Sequence, residues 1–161
     1  MPLSEHVEVE PIAPRHEEEL SALLRRIPSF TPDEVACARE VFGLAAASGN
    51  REYLARVAVA GGRVVGAVAY GQTPMTVGTW DLYWIACEPA LQRRGVGAAL
   101  LGAVEEDLHR RGARLVRVET SGTAAYQATR AFYQRFDYRE AARLADFYRP
   151  GDDLVVFTKR L

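Results

Sequence analysis

The sequence predicts one α/β domain of the α+β kind, with a mixed, mostly antiparallel sheet of about six to seven strands and helices on both faces. Three observations point there. Two alternating runs, residues 53–60 and 63–73, meet at Gly61-Gly62, a hairpin signal. A third long run, residues 79–87, leads through a glycine turn into an amphipathic helix and on to residues 115–120. A helical crossover of that kind joins parallel neighbours. The 161 residues, 48% hydrophobic, suit a single core, so residues 1–161 are expected to form one domain.

The elements follow in order. Residues 7–12 alternate apolar and polar and predict a short first strand. Residues 17–26 place Leu20, Leu23 and Leu24 on one face of a helix. Thr31-Pro32-Asp33-Glu34 is a helix start: Thr31 can cap, Pro32 suits the first helical position and Glu34 completes a capping box. That helix carries Val35, Ala38, Val41, Phe42 and Ala45 inward and stops at Ser48-Gly49-Asn50. The two hairpin strands and the strand over residues 79–87 come next, the last ended by Glu88-Pro89. Val96, Leu100, Val104 and Leu108 recur every four residues, which predicts a helix over residues 95–111 that Gly112 ends. After the strand over residues 115–120, a last helix is expected over residues 124–136. Two closing strands are expected over residues 138–144 and 154–159, split by a loop carrying Asp146, Phe147, Tyr148, Arg149, Asp152 and Asp153.

Bulk properties exclude several classes. A formal net charge of −1 does not make a general nucleic-acid surface. No stretch is apolar and long enough to span a membrane. Residues 1–20 are polar and acidic, unlike a secretory signal. Cys37 and Cys87 are isolated, which suits a cytoplasmic, reducing location. His6, His16 and His109 share no metal-ligand spacing, so no metal is expected.

The chemistry centres on Gln92, Arg93, Arg94, Gly95, Val96, Gly97 and Ala98, a turn that opens a helix. A helix N-terminus offers free N–H groups at the positive end of its dipole, a phosphate site made of backbone. Glycine lets a phosphate approach closely, and the two arginines add charge. As a dinucleotide loop the turn has Gly95-x-Gly97, and Glu119 ends the next strand where a ribose-binding acid would stand. The third glycine position holds Leu100, however, and no Gly-Lys-Ser/Thr of a Walker loop follows.

Read as Q-x-x-G-x-G, the same residues resemble the pyrophosphate turn of the GNAT superfamily, the acetyl-CoA-dependent N-acetyltransferases. Glu88-Pro89, the helix, the strand ending at Glu119-Thr120, and Thr129-Arg130-Ala131-Phe132-Tyr133 fall in the family order. The resemblance covers essentially the whole chain and is strongest from Trp80 to Tyr138.

The resemblance implies acetyl-CoA as co-substrate and no metal. It implies that the strand before the turn parts from its neighbour, so that the backbone of Ile85, Ala86 and Cys87 pairs with the pantetheine arm. The N–H groups from Gln92 to Ala98 would hold the pyrophosphate. Tyr133 would protonate the departing thiolate, and Arg130 would reach a CoA phosphate or pair with a nearby acid. Asp81, eleven residues before Gln92, stands where a histone-acetylating branch has its base. Tyr83 on the same face and Glu119 on the next strand are the other base candidates, with bound water as the alternative to all three.

Two positions depart from the family pattern. Tyr126 stands where Asn is frequent, and Asp137 where Gly commonly ends the helix; Asp tolerates that left-handed cap. The acceptor is expected opposite the donor, between the first two helices and the closing-strand loop, whose acids and aromatics suit a small cationic amine. The expected activity is acetyl transfer to a primary amine by direct attack through a tetrahedral intermediate. The expected partner is a small molecule, with a homodimer left open and neither nucleic acid nor membrane involved. Two other classes compete: an acyl-CoA-binding sensor without turnover and a dinucleotide-binding domain.

Overall fold

A computed structural model describes residues 6–47 and 49–161; Ser48 of the expected helix stop and residues 1–5 lie outside the described residues. Seven strands form one sheet in the order β1-β2-β3-β4-β5-β7-β6. They are β1 (Glu8–Pro11), β2 (Leu54–Ala60), β3 (Arg63–Gln72), β4 (Thr79–Cys87), β5 (Leu115–Ser121), β6 (Arg139–Arg149) and β7 (Asp152–Arg160). The β4–β5 pair is parallel and the other neighbours are antiparallel. The helical crossover between β4 and β5 dictates that exception.

Four helices cover the sheet: α1 (Glu17–Arg26), α2 (Pro32–Ala46), α3 (Val96–Arg110) and α4 (Gln127–Arg135). On one face, Leu20, Leu23 and Leu24 of α1 and Ala38 and Phe42 of α2 pack with Val57, Ala67 and Ala69. On the other face, Leu100, Val104 and Leu108 of α3 and Tyr133 of α4 pack with Val68, Val116 and Phe157. The expected helices on both faces are therefore present. The capping box also forms: Glu34 N–H donates to Thr31 Oγ1 (3.2 Å) and Thr31 N–H donates to Glu34 Oε2 (2.7 Å).

Two boundaries differ from the sequence expectation. A separate 3-10 turn, Ala124–Tyr126, precedes α4, which begins only at Gln127. The expected long loop between the closing strands shrinks to Pro150 and Gly151, because β6 runs on to Arg149. Every residue of β6 is exposed, so no face of it carries the apolar alternation that marks a strand in sequence. Its distal end also breaks register with β7 between Leu144 and Arg149, where Asp146 adopts φ 53°. Asp137 takes the left-handed cap after α4, as expected, at φ 67°.

Candidate active site

A β-bulge in β4 opens the centre of the sheet. Ala69 faces Trp84, but Tyr70 faces Leu82, which leaves Tyr83 as an extra residue. One extra residue swaps the faces of everything after it. Trp80 and Leu82 point to the α3 side, whereas Trp84 and Ala86 point to the α1–α2 side and Ile85 and Cys87 return to α3. Beside the bulge, β4 and β5 pair only from Thr79 with Leu115 to Leu82 with Val118. Beyond Leu82 the strands part. Ile85, Ala86 and Cys87 keep their β3 partners, Val68, Ala67 and Gly66, and present their other backbone edge to the gap.

The turn after β4 is built from two left-handed residues, Arg93 at φ 64° and Gly95 at φ 90°, the latter capping α3. Two of the seven expected N–H groups are already used: Gln92 N–H donates to Pro89 and Arg94 N–H to Leu91. The first α-helical bond across the cap runs from Ala99 N–H to Gly95 (2.9 Å), so the N–H groups of Val96, Gly97 and Ala98 start the helix without carbonyl partners. The two glycines serve different needs. Gly95 is required by its φ. A Cβ at Gly97 would lie 3.1 Å from the Phe132 ring, so Gly97 lets α4 sit close over the start of α3.

The gap widens into a cleft of about 800 Å³ between β4, β5, the α1–α2 connection, α4 and the β6–β7 hairpin. Tyr133 reaches it from α4. The side chain is 2% exposed and packs on Phe132, Tyr138 and Phe157, with ring centroids 5.4, 5.5 and 6.2 Å away. Burial, with the Cys87 thiol beside it, holds the phenol well above its ordinary pKa. Burial likewise pushes the Cys87 thiol up to about 11, so this thiol stays protonated and is a poor nucleophile.

The three base candidates separate by their partners. Asp81 is buried and both oxygens are engaged: Arg117 Nε donates to Oδ1 (2.6 Å) and the Thr73 hydroxyl donates to Oδ2 (2.7 Å). Glu119 is exposed in the cleft, with Arg117 Nη1 3.7 Å away as an ion-pair partner. Tyr83 stacks edge-on against Tyr53 at 5.3 Å, and burial followed by the charge of Asp81 raises its pKa. Arg130 is tied down: its Nη1 donates to the carbonyls of Ser121 (2.8 Å) and Thr123 (2.7 Å), holding the β5–α4 connection.

A family model described as an acetyltransferase (GNAT) domain matches residues 50–140, the stretch from just before β2 to the start of β6. The chain belongs to the GNAT acetyltransferase family. Solved structures agree with it over nearly their whole length. A GNAT-family protein from Desulfovibrio desulfuricans is 35% identical with a TM-score of 0.91, covering 96% of this chain and 99% of that one. The ribosomal-protein-S18-alanine N-acetyltransferase of Escherichia coli shares the fold at 20% identity and a TM-score of 0.76, with 96% and 94% covered. An aminoglycoside 6'-N-acetyltransferase complexed with coenzyme A does so at 18% identity and 0.74, with 95% and 96% covered. No curated protein sequence matches the chain.

For this GNAT domain, sequence reasoning missed the partners that lock Asp81 and the tyrosine at the family's Asn position. The Tyr126 hydroxyl lies 3.0 Å from Glu34 Oε1 and 3.2 Å from the Ser29 carbonyl, across the cleft. Phe30 in the same connection packs edge-on against Trp84 at 5.3 Å. The Ser-Phe-Thr-Pro-Asp-Glu run signals a helix cap and lies in the segment expected to wall the acceptor pocket, but its tie to Tyr126 is hidden because that partner is 92 residues from Glu34.

Proposed function

We propose that this enzyme transfers the acetyl group of acetyl-CoA to a primary amine of a small cationic molecule. One observation carries the acceptor class: the cleft wall holds five carboxylates, Asp33, Glu34, Asp81, Glu119 and Asp152, against two guanidiniums, Arg117 and Arg149. Facing aromatic groups, Tyr83, Trp84 and Tyr148 among them, suit a cation as well. Charge-lined clefts concentrate ligands of opposite sign.

The donor fits the chain's own groups. The N–H groups of Val96, Gly97 and Ala98, with those of Gln92 to Gly95 that remain free, would take the pyrophosphate, and exposed Arg93 and Arg94 would add charge. The pantetheine would run along the open edge of Ile85, Ala86 and Cys87 in the manner of a strand. Arg130 would act by fixing the loop beside it, its Nη1 being committed to backbone.

Chemistry would then proceed in the gap. The amine nitrogen attacks the acetyl carbonyl carbon, a C–N bond forms and the C–S bond breaks. The amine proton leaves to Glu119, the less encumbered of the two strand carboxylates, directly or through water. The departing sulfur takes a proton from Tyr133, whose hydroxyl has no hydrogen-bond partner among the described residues. Asp81 supports this by holding Arg117 beside Glu119.

The test is thiol release from acetyl-CoA across amino acids, polyamines, aminoglycosides and short peptides. Release is expected with the cationic small amines above all. Acetyl-CoA at millimolar level should also raise the melting temperature by mass action. Stabilisation without thiol release from any amine would replace this reading with that of a sensor.

A further inference from the structure

We infer that Tyr126 and Glu34 form a clasp across the acceptor cleft that sets which amines enter. Tyr126 stands on the turn before α4, and Glu34 in the first turn of α2. Both line the cleft, from elements 92 residues apart in sequence. The single Tyr126 O–H is shared between two acceptors, Glu34 Oε1 (3.0 Å) and the Ser29 carbonyl (3.2 Å). Glu34 Oε2 meanwhile accepts from Thr31 N–H (2.7 Å), so one carboxylate both caps α2 and receives the clasp.

The bond therefore joins the acceptor wall to the helix that carries Tyr133. The acceptor wall is otherwise held to the sheet by Phe30 on Trp84 and by α1 and α2 themselves. Among the described residues, its segment from Ser29 to Glu34 is tied by hydrogen bond to α4's side through the Tyr126 hydroxyl. Burial, then the Glu34 charge, keeps the phenol protonated and donating at any working pH. A closed clasp spans the cleft and limits the girth of an acceptor, while Tyr126 takes up one of the carboxylate oxygens otherwise open to a cation. Tyr126 and Glu34 are thus positioning residues for the acceptor and make no claim on the donor. The inference rests on the amine-acceptor reading above.

The test uses full-length protein with acetyl-CoA and two probe amines, slender cadaverine and bulky kanamycin. Tyr126→Phe should raise the kanamycin-to-cadaverine ratio of kcat/KM about tenfold. Its acetyl-CoA KM should stay within about twofold. Glu34→Ala, which removes the accepting oxygen, should shift the ratio the same way, and the double variant should shift it less than the two single effects combined, because both remove the same bond. Amide hydrogen exchange over residues 29–34 should quicken in Tyr126→Phe without a matching fall in melting temperature. An unchanged ratio, or a change confined to the acetyl-CoA KM, overturns the clasp. If wild type turns over neither amine, the acceptor class falls instead, and exchange over residues 29–34 still decides the clasp: unchanged exchange overturns it, faster exchange supports it.

Discussion

Tyr133 is held by packing alone. Three aromatic rings fix the side chain, burial keeps its phenol protonated, and no described residue takes its hydroxyl. Removing the oxygen therefore costs little structure and the whole of the proton-donating role proposed for it. Tyr133→Phe should lower kcat by about 100-fold, within the usual range for a general acid, with acetyl-CoA KM near wild type and an unshifted melting temperature. Steady-state thiol release checks it, and an unchanged kcat removes Tyr133 from the proton path. The sign of the pKa shift adds a constraint. A phenol held above about 10 loses no donor form as pH rises through neutrality, so Tyr133 contributes no alkaline limb there. The carboxylates show what sequence could not rank. Asp81 and Glu119 looked alike as strand acids. The difference lies in Thr73 and Arg117, which close on Asp81 from a neighbouring loop and strand and leave Glu119 open.

β4 and α3 show how much of each element was legible. Strand β4 was visible over its whole length, since its apolar run and the Glu88-Pro89 stop are local signals. The bulge at Tyr83 was not, because it depends on register with β3. For α3 the four-residue repeat marked the buried face, and Leu100, Val104 and Leu108 are fully buried there. Asp107 breaks that pattern: it is buried as well, for a reason set by its partners. The Tyr70 hydroxyl and Arg111 Nε each donate to its Oδ2 at 2.8 Å, and Arg56 and Arg110 stand 3.7 and 3.6 Å from Oδ1. The carboxylate pins the C-terminal half of α3 to β2 and β3. Burial pushes its pKa up, but the Arg111 and Tyr70 hydrogen bonds outweigh it and leave the pKa below the usual 3.8. Its stabilisation is therefore complete above that value and is lost as pH falls through the depressed one. Asp107→Ala would leave the Tyr70 hydroxyl and the Arg56 guanidinium without their acceptor. Since Arg110 and Arg111 reach solvent, the cost should be about 2–3 kcal/mol rather than that of a fully buried pair. Urea denaturation at neutral pH measures it, and a loss under about 0.5 kcal/mol would mean the partners reorganise freely.

Across the whole molecule, one continuous seven-stranded sheet with α1 and α2 on one face and α3 and α4 on the other ties the walls of the cleft into a single unit. Its tyrosines give that unit a characteristic weakness at high pH. Six of the seven tyrosines in the chain have raised pKa values, each with burial as the leading cause. Tyr70 is pushed up to about 12, and Tyr70, Tyr133 and Tyr138 all lie within the core on the α3–α4 face. An unfolded chain ionises its tyrosines from about pH 10. Above that pH the unfolded state holds fewer protons than the native one, so unfolding becomes easier as pH rises. The stabilisation is whole below about pH 10 and drains away as pH climbs toward the native values. Two measurements follow from one mechanism. The urea midpoint should fall between about pH 9 and about pH 11, and tyrosinate absorbance should rise in step with the loss of native circular dichroism. If most of the tyrosines instead ionise near pH 10 while the fold persists, the aromatic core beside the cleft is more open than its packing implies, and Tyr133 loses the dry setting that its proposed role requires.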